Sequence, residues 1–105
     1  MLFNKLQSKL WYNMIRTIED FYMGKIQYSN LVYGLESDLD TGEFNNKSLV
    51  DQWYDYWTPL EIIYATKGED VTISEVDEYL LVMELFLRSI PLDFEFLTDD
   101  VEIIE

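Results

Sequence analysis

A chain of 105 residues with 21 acidic and 7 basic side chains has a formal net charge of −14, and at 49% hydrophobic and 16% aromatic it is too rich in core-forming residues for an acidic disordered segment. Cys and His are both absent, which excludes disulfides, thiol nucleophiles, imidazole bases, and thiolate or imidazole metal ligation. The length predicts one hydrophobic core, because a second would leave each half about 50 residues.

Phe3, Leu6, Leu10, Met14, Ile18 and Phe21 recur at three- and four-residue spacing, with Trp11, Ile15 and Tyr22 widening the stripe. This predicts a first helix over residues 3–23, stopped by Gly24. Lys5, Lys9 and Arg16 are spread through it with no continuous apolar run and no small-residue cleavage site, so no secretory leader is expected. Tyr28, Leu31, Val32, Leu35 and Leu39 predict a second helix over 28–40, with Ile26 placed as an apolar staple at its entry. Gly34 lies inside this helix at a cost of about 1 kcal/mol relative to Ala, the expected reason being close packing of a neighbouring helix.

Residues 42–48 form a polar loop in which Ser48 is placed to cap the third helix and Phe44 to fold back onto the core. Leu49, Val50, Trp53, Tyr56, Trp57, Leu60, Ile63 and Tyr64 predict that helix over 48–67, ended by Gly68; Pro59 marks either a kink in it, the favoured reading, or the start of a new helix capped by Thr58. Ile73, Val76, Leu80, Met83, Leu87 and Ile90 predict a fourth over 74–89, capped by Thr72 or Ser74 and ended by Pro91. Residues 92–105 mix six apolar side chains beyond Leu92 with acids and read either as an extended packed tail or as disorder, so the expected division is a helical domain over 1–91 and an acidic extension over 92–105. The expected fold is all-α, an up-and-down bundle of four helices.

The charge is uneven: residues 1–35 are net +2 and residues 36–105 net −16. Self-repulsion should lower stability at low salt. No run of Lys or Arg marks a nucleic-acid surface, and no apolar run approaches the roughly 20 residues that span a bilayer. A cytoplasmic protein with neither a nucleic-acid ligand nor a membrane partner is therefore expected.

The segments Gly24-Lys25-Ile26-Gln27-Tyr28-Ser29-Asn30-Leu31-Val32-Tyr33-Gly34-Leu35-Glu36 and Trp57-Thr58-Pro59-Leu60-Glu61-Ile62-Ile63-Tyr64-Ala65 resemble small helical bacterial proteins loosely associated with the immunity partners of polymorphic toxins. The resemblance covers about residues 10–90, and an uninterrupted helix is expected in such proteins where this chain has Thr58-Pro59. It implies a bacterial origin and an inhibitor role, and it offers no catalytic residue to carry over.

Three patterns invite chemistry and fail it. Asp38-Leu39-Asp40-Thr41-Gly42 begins like a calcium loop, but its Gly is fifth rather than sixth and the twelfth position is Leu49 instead of a bidentate Glu. Asp51 and Asp55, approached by Glu61 or Glu36, form a carboxylate pair without the Glu-x-x-His motif of metal-holding bundles. Nothing marks the cleft that a glycosidase needs between two carboxylates. No catalytic residue, cofactor or metal site is therefore expected, and the protein reads as a non-enzyme.

Trp53 and Trp57 lie on the apolar stripe and read as core, whereas Tyr33 and Tyr54 fall off theirs. Tyr is enriched at interfaces, so the candidate partner-binding set is Tyr33, Glu36, Asp38, Asp40, Asp51, Tyr54 and Asp55. The expected partner is a basic protein such as a toxin or nuclease, and the expected function is its neutralisation. The alternatives are a homo-oligomeric adaptor, dimerising through the aromatic surface of the third helix, and a DNA mimic.

Overall fold

Each apolar stripe becomes a helix with a satisfied start. The computed structural model, described over residues 2–92, contains α1 (Lys5–Tyr22), α2 (Tyr28–Gly42), α3 (Lys47–Lys67), a short 3-10 turn at Gly68–Asp70, and α4 (Ile73–Arg88). At α1, Asn4 Oδ1 accepts from the Gln7 amide at 2.7 Å while Gln7 Oε1 accepts from the Asn4 amide at 3.0 Å, a reciprocal cap. Asn46 Oδ1 accepts from the Leu49 amide at 3.0 Å, so α3 starts one residue earlier than expected and its cap is Asn46 rather than Ser48. Thr72, one of the two expected caps, starts α4, its amide donating to Glu75 Oε1 at 3.0 Å.

The helices pack in a closed ring: α1 on α2, α2 on α3, α3 on α4, and α4 back on α1. This is the expected all-α bundle. α2 runs two residues beyond the expected end to Gly42, and Glu43 then turns the chain with φ 50°, in the left-handed region. α3 continues through Pro59 to Lys67. The carbonyl that Pro59 deprives of a helical donor belongs to Asp55, an exposed residue, so the lost bond falls on the side of α3 away from the core. Gly68 then stops α3 with φ 61° and ψ −136°, a region open essentially only to glycine.

Trp11, Met14, Ile18, Leu31, Val32, Leu35, Trp53, Leu60, Val76, Leu80, Met83 and Leu87 are fully buried. The α1 stripe is rotated from its expected axis: Leu6 is 55% exposed, while Ser8, three residues before Trp11, is buried. Trp11 carries more apolar surface than Leu6, and the helix turns to bury the larger ring. Phe44 folds back as expected, edge-on to Phe3 and Trp11 with ring centroids 4.9 and 5.5 Å away.

Buried side-chain polar atoms within the described residues are all hydrogen-bonded. The Trp11 indole N–H donates to the Leu87 carbonyl at 2.8 Å, the Trp57 indole to the Val32 carbonyl at 2.8 Å, and the Tyr28 hydroxyl to the Leu60 carbonyl at 2.7 Å. Each bond ties one helix to the backbone of a neighbour, fixing the register of the bundle as well as filling it.

Gly34 does not serve the close approach expected of it. A Cβ there meets Thr17 Cγ2 at 3.8 Å, an ordinary van der Waals distance. Gly34→Ala is therefore expected to stabilise the protein by about 1 kcal/mol, the helix-propensity difference, read as a higher urea midpoint with unchanged slope. A lower midpoint would show that α1 and α2 require the glycine. Expectations for residues 93–105 lie outside the described residues.

Candidate functional site

Four of the seven candidate residues converge on the seam between α2 and α3. Tyr33, Glu36 and Asp40 succeed one another at three- and four-residue spacing along α2, and Tyr54 rises from α3 to meet them. The Tyr54 hydroxyl donates to Glu36 Oε2 at 3.3 Å. Burial first, and then the fields of Glu36, Asp40 and Glu61, push that hydroxyl above the ordinary tyrosine value. Three carboxylates thus act on one phenol. The Tyr54 ring is held edge-on to Trp53 and Trp57, with centroids 5.1 and 5.7 Å away, so the core fixes its direction.

Tyr33 is 49% exposed and lies edge-on to Tyr64 at 5.6 Å, extending the aromatic part of the seam toward the other end of α2. Neither Tyr64 nor Glu61 is in the sequence-derived set. Glu61 carried a usable signal, since it comes seven residues after Tyr54 and so shares its helical face. Tyr64 carried none, because its spacing matches the core stripe and only the half-buried edge of the helix shows it outside.

The other three candidates point elsewhere. Asp38 turns toward α1, where its Oδ2 accepts from the Asn13 side-chain amide at 2.8 Å. Asp51 and Asp55 lie on the outer side of α3, both exposed, and Asp51 is held by Lys47 at 2.7 Å in an i,i+4 pair. With both partners mostly in solvent that pair contributes little to stability. Among the described residues no group of three or more carboxylates is placed to hold a metal ion, and no helix is long and apolar enough to cross a membrane.

Half-burial raises the Asp38 carboxyl above its ordinary value, partly offset by the hydrogen bond from Asn13. A carboxyl raised by folding takes up its proton in the native state before the unfolded chain does. Asp38 therefore costs stability at neutral pH, and the cost is relieved as pH falls through its raised value toward that of the unfolded chain. Asp38→Asn should raise the melting temperature at pH 7 and leave it unchanged near pH 3; equal shifts at both values would refute the titration as the cause.

No protein-family model, curated protein or solved structure matches the chain.

Proposed function

We propose that this is a small acidic binding module, not an enzyme, which neutralises a basic protein such as a toxin or nuclease as an immunity partner does. The observation that carries the reading is the meeting of Tyr54 with Glu36 across the α2/α3 seam, hydroxyl to carboxylate at 3.3 Å, with the Tyr54 ring packed edge-on against Trp53 and Trp57. Such a seam supplies both halves of a protein interface: aromatic side chains whose orientation is set by the core, and a one-signed field that accelerates encounter with a cationic surface. The net charge of −14 supports the same sign of partner. The resemblance of residues 24–36 and 57–65 to immunity-type helical proteins supports the inhibitor role, and the absence of Cys supports a cytoplasmic one.

The test is affinity capture from the native host's lysate at about 0.15 M salt and again at higher ionic strength, a range set by the screening length. The reading expects one basic protein, toxic when expressed alone and rendered harmless by co-expression with this chain. The triple variant Glu36→Gln, Asp40→Asn, Glu61→Gln should lose both capture and rescue. Rescue that survives the triple variant would move the site off the seam, and recovery of the bait alone as a salt-resistant oligomer would replace the inhibitor reading with a homo-oligomeric one.

A further inference from the structure

The sharpest departure from a sealed bundle is on α4. Its inner side is complete, with Val76, Leu80, Met83 and Leu87 fully buried. Its outer side nevertheless carries Leu81 at 53%, Val82 at 41% and Leu85 at 59% exposure, with Tyr79 at 41% beside them. Leu81 and Val82 lie four and three residues before Leu85, and three and four after Glu78, so all three share one stripe with that exposed carboxylate. Isolated exposed leucines are commonplace, but a contiguous apolar stripe at helical spacing has the form of a helix-packing seam.

The charge around the stripe decides what fits it. Glu78 lies within it and Asp77 and Glu84 flank it; Asp77 accepts from the Tyr22 hydroxyl at 2.8 Å, and the only cation on α4, Arg88, is already bonded to Glu84 at 2.8 Å. A second copy would bring Glu78 and its neighbours against their own kind, on chains that each carry −14. A helix with apolar side chains at i, i+3, i+4 and i+7 and Lys or Arg on its flanks meets both features at once, packing on the leucines and pairing with the carboxylates.

We infer that the outer face of α4 is a second docking surface, distinct from the α2/α3 seam, for a basic amphipathic helix of another protein. A seam of three or four side chains is small, so the affinity belongs in the micromolar range. The surface stands on α4's exposure and charge and is independent of the seam reading.

The probe is an 18-residue peptide with Leu at those spacings and Lys elsewhere, alongside a permuted peptide of identical composition whose leucines keep no helical period. Fluorescence anisotropy is read against the full chain, the Leu81→Gln, Leu85→Gln variant and the seam triple variant. The inference expects the patterned peptide to bind at least tenfold more tightly than the permuted one. It also expects that preference to vanish in the α4 variant and persist in the seam variant. Gln is a good helix former at positions already in solvent, and circular dichroism confirms that the variant is native. No binding, equal binding of both peptides, or equal binding by wild type and the α4 variant overturns the inference. Loss of binding only in the seam variant also overturns it, and bears on the other site. Concentration-dependent dimerisation of the wild type that the α4 variant abolishes would assign the stripe to a second copy instead.

Discussion

Trp11→Phe should lower the unfolding free energy by about 3 kcal/mol, more than Trp57→Phe, although both remove an indole N–H that donates 2.8 Å to a carbonyl. The difference lies in the acceptors. Val32 is inside α2, and its carbonyl keeps its helical donor when Trp57 is shortened. Leu87 is one residue from the end of α4, and the residue four positions on is Pro91, which has no N–H to give. The Ile90 amide reaches the Leu87 carbonyl only at 3.5 Å, so the Trp11 indole is its one well-formed donor. Shortening Trp11 leaves a buried carbonyl unsatisfied, at about 1–3 kcal/mol, and opens a void where the second ring lay. Pro91→Ala supplies the absent N–H. In a double-mutant cycle by urea denaturation, Pro91→Ala should recover about 1 kcal/mol or more in the Trp11→Phe background and have little effect alone. Additivity of the two changes would sink the account.

The same bond shows where the sequence was legible and where it was not. Four helices arise from four runs of three- and four-residue spacing, and their ends from Gly68, Pro91 and the polar residues before each start. Spacing alone leaves the rotation of a helix open by the width of its stripe. Leu6 therefore read as core although α1 turns Trp11 inward instead. Asn46 and Ser48 are both competent caps, and only the first places its oxygen on the Leu49 amide. The seam was half legible for a related reason. Tyr33, Glu36, Asp40 and Tyr54 were identifiable as off-stripe residues, but which of the neighbouring acids joins them depends on how α2 and α3 meet. Asp38, two residues from both Glu36 and Asp40, falls on the opposite flank of α2 and bonds to α1.

Salt should stabilise this protein strongly, by several kcal/mol between about 10 mM and 0.5 M NaCl, because compaction crowds a net charge of −14 into a small volume and ions screen that repulsion. Folding confines the chain to a radius of gyration of 14.3 Å, whereas an unfolded chain of this length spreads its charge over roughly twice that. The screening length falls from about 30 Å to a few ångströms over the same salt range, which removes most of the difference between the two states. Neutralising Glu36, Asp40 and Glu61 takes the net charge from −14 to −11 and so removes part of that repulsion. The triple variant Glu36→Gln, Asp40→Asn, Glu61→Gln should therefore melt at a higher temperature than the wild type in low salt. The two should converge at about 0.5 M, well past the point where surface charges are screened. A group that destabilises the fold and is relieved by salt or neutralisation is doing something other than holding the bundle together. If the triple variant is instead less stable at every ionic strength, the three carboxylates are structural, and the electrostatic argument for a cationic partner at this seam fails with them.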